Sequence, residues 1–252
     1  MNENTSMVGT TVTTIRVIEA LQELDGAGVS EIAERVDIPT STAFDHLRTL
    51  EGHEFVVKRG DQYEIGTRFL EIGGRARSAD VLYRTAEPEL RELAHETGEH
   101  ANLMIEEFGR GVFLIKKKGG NAFNLDTHVG KRVTLQTTAL GKAILSERSD
   151  EYIDEVVDRH GLPAATEETI TDRTTLFEEI DEVRQRGFAV DDEERLPGVR
   201  CVAAPIAPSS VARGAISISG AKTGMQDKRF NKELPELVLH TANIIEVNIR
   251  HQ

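Results

Sequence analysis

Cysteine is nearly absent from this 252-residue chain, with Cys201 alone present. That excludes an intrachain disulfide framework and a cysteine-rich zinc cluster within one chain. Long apolar runs are missing too, since no stretch approaches the roughly 20 residues of a membrane-spanning helix. The first residues, MNENTSMVGTTVTT, carry neither the cationic start nor the apolar centre of a secretory signal. The expectation is a cytoplasmic protein with no membrane partner. Positive charge is the third scarcity: 30 Lys and Arg face 43 Asp and Glu, for a net charge of −13, and only nine of the cations are lysine. Such acidity ordinarily argues against nucleic acid. Residues 1–77 do not escape it, because 13 acidic against 8 basic residues leave them at −5. A halophilic setting reconciles an acidic surface with an anionic partner, because at 1 M salt the Debye length falls to about 3 Å.

The length points to two domains. Residues 1–10 are polar and threonine-rich and read as a flexible tail. Val12, Ile15, Ile18, Leu21 and Leu24 then recur at three-residue steps, the mark of a first helix that ends at Asp25-Gly26. Ser30 is a candidate N-cap for a short second helix carrying Ile32, Ala33 and Val36, which stops before Ile38-Pro39. A third helix follows over 41–51, capped by Thr40 or Ser41, with Ala43, Phe44, Leu47 and Leu50 as its buried side. FVVKRGDQYEIG reads as a hairpin turning at Arg59-Gly60-Asp61. Three helices and a hairpin over 11–66 make a winged helix-turn-helix. A linker helix is expected over 67–84, within a helical pattern that runs to 97 and is broken or kinked at Gly73-Gly74 and Pro88.

Residues 85–252 alternate strands and helices, so the fold class is α+β with a C-terminal α/β domain. A hairpin is expected around Gly109-Arg110-Gly111, helices near 139–145, 150–158 and 172–186, strands at 188–190, 199–206 and 214–219, and a final helix. Thr171 is the expected cap of the 172–186 helix, and Gly187 closes it.

In a helix-turn-helix, the second helix of the pair enters the major groove and presents its first residues to base edges and phosphates. Those residues are Thr40, Ser41, Thr42, Asp45, His46 and Arg48, with Lys58 and Arg59 of the hairpin placed to touch flanking backbone. The bland alternative is a solvated helix in a small bundle. HETGEH (95–100) does not meet the zinc-protease pattern: its histidines are five apart and Gly98 lies between them. No metal and no cofactor is expected. The DDEE run at 191–194 is either a hard-cation site or a solvated acidic loop, and Lys116 to Lys118 read as a solvated charge run. Cys201 lies in the apolar stretch VRCVAAPI and no base can be nominated for it, so nucleophilic catalysis is disfavoured.

From about Thr11 to Ile249 the chain resembles the isocitrate-lyase-regulator (IclR) family of transcription regulators. The likeness is carried by VSEIAERVDIPTSTAFDHLRTLEGHEFV and YEIG, then by TGEHANL, TALGKAIL, TITDRTTLFEEIDEVRQRGFAVDDEERLPGVRCVAAPI and GAISISG, in the family's order. The resemblance implies a GAF-like effector-binding domain after the linker helix. It also implies homodimers or dimers of dimers on a double-stranded DNA operator, and a small-molecule effector: a carboxylate, an aromatic acid or a sugar-derived metabolite. The effector-binding residues it implies are Ala139, Leu140, Gly141, Asp191, Cys201, Ser217 and Ser219. The rest of the acidic run stays solvated on this reading. Two departures stand out. Ala139-Leu140 replaces a frequent Gly-Ala, and Thr40 and Asp45 stand where the family often has Lys and Arg. The competing readings are an enzyme using Cys201 or the acidic run, and a protein-interaction module whose winged helix binds another protein.

Overall fold

The computed structural model describes residues 7–125, 127–207 and 214–251. The chain divides into two units, Met1–Ala76 and Arg77–Gln252. The first contains α1 (Gly9–Glu23), α2 (Val29–Val36), α3 (Thr40–Gly52), β1 (Val56–Arg59) and β2 (Gln62–Ile65), and it ends within α4 (Arg68–Ala79). Of the polar tail expected over 1–10, residues 1–6 lie outside the described residues, while Gly9 and Thr10 already belong to α1.

Each residue advances about 100° around an α-helix, so three-residue steps drift steadily off one face. Ile15 and Leu24, nine apart, therefore lie on opposite sides and are both exposed, while Val17, Ala20 and Leu21 form the buried stripe of α1. That stripe packs with Ile32, Ala33 and Val36 of α2, Ala43, Leu47 and Leu50 of α3, and Val56 and Tyr63 of the hairpin. Phe44 is not on this side, because it is 42% exposed on the outward face of α3.

The caps also differ from the sequence reading. At α2 the Glu31 carboxylate accepts the Gly28 amide at 2.8 Å, so Ser30 is not the cap. At α3 the cap position is Pro39 and no side chain caps the helix, which leaves Thr40 and Ser41 as its first turn. Asp37 makes the turn between α2 and α3 in the left-handed region at φ 58°, which aspartate tolerates better than most residues.

The expected linker helix is two helices. α4 continues through Gly73-Gly74, and α5 (Val81–Thr97) continues through Pro88. The break falls at Asp80, whose carboxylate accepts the Leu82 and Tyr83 amides and so starts a new helix. Burial of Leu82, Ala86, Leu90, Leu93 and Ala94 along one side of α5 offsets the backbone hydrogen bond that Pro88 removes.

The second unit continues with β3 (His100–Glu107), β4 (Arg110–Lys118), β5 (Arg132–Thr134), α6 (Ala139–Ser146), α7 (Asp150–His160) and α8 (Arg173–Arg186). It closes with β6 (Ala189–Asp192), β7 (Val199–Ile206), β8 (Gly214–Ala221) and α9 (Leu234–Arg250). Asp172, rather than Thr171, caps α8 through the Thr175 amide. The β3–β4 loop is shorter than expected: Phe108 and Gly109 alone make it, both at positive φ, as a two-residue type I′ connection requires.

The strands pair antiparallel in the order β5-β4-β3-β8-β7-β6. Because side chains alternate across a strand, each strand writes two different faces. One face bears Ala101, Leu103, Val202, Ala204, Ile206, Ile216 and Ile218, and these pack under α5 and α9. On the other, Met104, Ala203 and Ala215 lie against α6. Ala203 and Ala215 are short there and let α6 approach the sheet closely. Gly141 tightens the same region, since a Cβ on it would sit 2.0 Å from the Leu135 carbonyl oxygen.

Candidate functional site

Two features are candidates, one in each unit. In the first, Thr40, Ser41, Asp45 and Arg48 are exposed on α3 together with Phe44, and Thr42 and His46 are half-buried. Arg48 makes an exposed 3.3 Å ion pair with Asp45, and its guanidinium lies over the Phe44 ring at 5.8 Å. His46 points back toward α1, where its Nδ1 meets the Thr14 hydroxyl at 2.9 Å. It is the least available of the residues nominated on α3. On the hairpin, Lys58 lies over the Tyr63 ring at 5.4 Å and Arg59 pairs with Glu64 at 2.9 Å.

In the second unit, the α6 face of the sheet turns polar beyond Ala203 and Ala215. The register sets Asp191 of β6 opposite Cys201 of β7, Cys201 opposite Ser219 of β8, and Asn102 of β3 opposite Ser217. These side chains line a cavity of about 20 Å³ with Thr138, Ala139 and Leu140 at the start of α6, Phe113, and the loop residues Leu125, Thr127, Arg195 and Leu196. That is room for about one water. Of the residues nominated from the sequence, Ala139, Leu140, Asp191, Cys201, Ser217 and Ser219 are brought together here. Gly141 is not, because its amide donates to Thr138 Oγ1 at 2.9 Å as the cap of α6. The first helical amides have no intrahelical acceptor, and those of Ala139 and Leu140 lie at the cavity end of the helix.

The electrostatics follow from burial. Asp191 is 2% exposed, and burial together with the nearby Glu194 carboxylate raises its pKa to about 7, although Lys142 opposes the shift. Its carboxylate accepts the Glu194 amide at 2.8 Å. Burial and the Asp191 charge push the Cys201 thiol well above its ordinary value, so it stays protonated and donates to Ser219 Oγ at 3.0 Å. A thiol held in that form is a poor nucleophile.

The acidic run is not a solvated loop. Asp192 pairs with Arg200 at 2.8 Å, Glu193 with Lys222, and Glu194 is buried against Lys142 Nζ at 2.5 Å. Lys142, with its side chain 1% exposed, also lies 3.4 Å from Glu179. This buried ion pair holds the segment that carries Asp191, Arg195 and Leu196 into the cavity wall. Lys116 is likewise structural, since its Nζ donates to the Leu125 and Thr127 carbonyls at 2.9 and 2.8 Å and steadies the opposite wall. Among the described residues no group of His, Cys, Asp and Glu could hold a metal ion, and no helix is long and apolar enough to cross a membrane.

A helix-turn-helix with a hairpin, followed by an α/β unit with a small polar cavity, is an architecture of DNA-binding transcription regulators, and the curated relatives of this chain are named as such regulators rather than as enzymes. The chain belongs to the IclR family: residues 12–60 match the IclR helix-turn-helix domain, and residues 76–247 match the C-terminal domain of the bacterial transcriptional regulator IclR. It is 30% identical over 240 residues to the probable HTH-type transcriptional regulator ArcR of Halobacterium salinarum, covering 93% of this chain and 91% of that one. Among solved structures, the Thermotoga maritima IclR aligns with a TM-score of 0.75 at 27% identity, over 94% of this chain and 98% of that one. An IclR homolog of Microbacterium hydrocarbonoxydans, solved in complex with 4-hydroxybenzoate, shares the fold with a TM-score of 0.82 at 20% identity, over 97% of this chain and 100% of that one.

Proposed function

We propose that the chain binds a double-stranded DNA operator through the exposed face of α3, and that a small organic acid bound in the C-terminal cavity controls that binding. The observation that carries this reading is the cavity itself, where hydroxyl, amide and thiol groups converge beside a helix start at the edge of the apolar cluster packed on α6. A few convergent polar groups are what orient a ligand in a site of this kind. The 4-hydroxybenzoate complex of the homolog supports an organic acid as the effector class. Carboxylates, aromatic acids and sugar-derived metabolites are the candidates. With room for one water, the cavity admits a ligand only if the wall bearing Leu125 and Thr127 moves away from the wall bearing Arg195 and Leu196.

On the DNA side the contacts are Arg48, Thr40, Ser41 and Thr42 on α3, with Lys58 and Arg59 at the hairpin. The operator complex is a homodimer or a dimer of dimers. In support, α4 buries none of its residues and leaves the large apolar side chains Leu70 and Ile72 exposed on two sides of the helix, where a second copy would cover them. The work is done in the cytoplasm. A ligand shifts operator affinity only by binding two states of the protein unequally.

Genome-wide occupancy, mapped with and without candidate organic acids, tests the reading. Discrete enriched sites whose occupancy changes with one acid are expected, and the absence of any enriched site would overturn it.

Asp191 makes the affinity for an anionic effector depend on pH. Above its pKa of about 7 the ionised carboxylate faces Glu194 and an incoming anion, with Lys142 the nearby cation opposing its protonation and Cys201 its thiol neighbour. Below that pKa it is neutral and can donate to the ligand. Affinity therefore rises as pH falls. If only the protonated form is competent, the apparent dissociation constant drops about tenfold between pH 8 and pH 6. Calorimetric titration of a small carboxylate at both values checks this, and Asp191→Asn should flatten the dependence.

A further inference from the structure

Asn102 is 3% exposed on β3, and its Nδ2 donates to Ser217 Oγ and to Ser219 Oγ, each at 3.1 Å. Ser219 Oγ also receives the Cys201 thiol proton at 3.0 Å, and the two hydroxyl oxygens are 3.4 Å apart. A hydroxyl has one proton and two lone pairs. Ser219 therefore accepts twice, from the amide and the thiol, and its own proton must leave. It goes to Ser217 or into the cavity. Two hydroxyls share only one proton between them, so in either arrangement at least one serine proton is directed at the cavity. Asn102 supplies two of the protons that fill the serine lone pairs, and so turns at least one hydroxyl into a donor toward the ligand space.

We propose that Asn102 sets the hydrogen-bond polarity of this cavity and is the positioning residue that makes it select an oxyanion, such as the carboxylate end of a small organic acid, over a neutral isostere. The assignment rests on the cavity being the effector site. Aspartate has the same shape and no amide protons, so both serine protons would turn toward it and the cavity would meet lone pairs. Leucine has nearly the same shape, carries no charge and removes the two donors.

Pyruvate and pyruvamide are suitable probes, because they differ in size very little and one end changes from acceptor-only anion to neutral amide. Isothermal titration of the full-length protein should show pyruvate bound more tightly than pyruvamide. In Asn102→Asp the pyruvate dissociation constant should rise about 10-fold or more, the size expected for losing a hydrogen bond to a charged group. The pyruvamide value should change by about fivefold or less, as befits a neutral hydrogen bond. Asn102→Leu, with folding checked by thermal melting, should lower the same ratio without introducing charge. The ratio is the deciding readout, since a merely structural defect would weaken both probes alike. A folded variant that keeps the wild-type ratio overturns the inference and leaves the effector reading intact. Wild-type protein that prefers pyruvamide, or that binds neither probe, overturns the inference as well, while the effector reading falls only with the absence of enriched genomic sites.

Discussion

Lys142→Met should destabilise the C-terminal unit by about 3–5 kcal/mol, the cost of breaking a buried ion pair by removing one partner. Lys142 lies within α6 with its side chain 1% exposed, 2.5 Å from Glu194 and 3.4 Å from Glu179. Glu179 keeps a second cation, Arg186 at 2.8 Å, but Glu194 is paired with Lys142 and its Oε2 is buried. Burial already raises the Glu194 pKa, and Lys142 is the largest influence opposing that rise. Without Lys142 the folded-state pKa climbs further above the unfolded value. The folded protein then holds a proton the unfolded chain has released, so the variant loses stability as pH rises from the unfolded pKa toward the folded one. Melting temperature should fall by on the order of 10 °C at pH 8, with a smaller deficit at pH 5. Lys142→Met combined with Glu194→Gln should recover most of the loss. An unchanged melting temperature at pH 8 would contradict the account. The pair also shapes the cavity, because the Glu194 amide holds Asp191 while Thr166 and Thr169 hydroxyls hold the Glu194 carbonyl.

Arg48→Ala should weaken operator binding about thirtyfold or more and leave the fold intact. The Arg48 side chain is 69% exposed, and its partner Asp45 is 67% exposed at 3.3 Å. An ion pair of that kind is worth about 1 kcal/mol at most. A guanidinium that reaches a guanine edge is worth about 1–3 kcal/mol per contact. In the proposed dimer, loss of both copies of this contact therefore weakens binding by that factor. A mobility-shift assay on an occupied site, beside a thermal melt of the same variant, measures both halves of the expectation. Unchanged affinity would remove Arg48 from the interface. The −5 charge of residues 1–77 adds weight to this residue, because long-range attraction to phosphate is weak and short-range contacts must supply affinity.

Most of the order of helices and strands was legible because hydrophobic period is a local property that the chain states directly, but the three-residue β5 and the break at Asp80 were not. What failed was whatever depends on a neighbour. Three-residue spacing put Ile15 and Leu24 in the same stripe as Leu21, but the helix turns them to solvent. Phe44 reads as core in sequence because it is aromatic, yet on α3 it shares the outward face with Arg48. Ser30 and Thr171 are good cap types, but Glu31 and Asp172 sat close enough to take those roles.

The cavity was half visible. Asp191, Cys201, Ser217 and Ser219 could be nominated by resemblance, and alternation along β8 placed both serines on one face. Asn102 was in plain view within TGEHANL, and alternation against Ala101 and Leu103 marks it as facing away from the apolar side. Its role needed the cross-strand register to Ser217, which no single sequence contains. Glu194 and Lys142 are separated by 52 residues, and nothing in the DDEE run tells which of its carboxylates finds a buried cation.

The most direct test of the central claim is the operator dissociation constant of purified protein, measured with and without a saturating concentration of whichever acid alters genomic occupancy. It should be repeated in Ser217→Ala/Ser219→Ala. The account predicts a change of roughly 5–150-fold in the wild type, the usual range of coupling between sites, and none in the double variant. Equal constants with and without the acid, or the same response in both proteins, would contradict it.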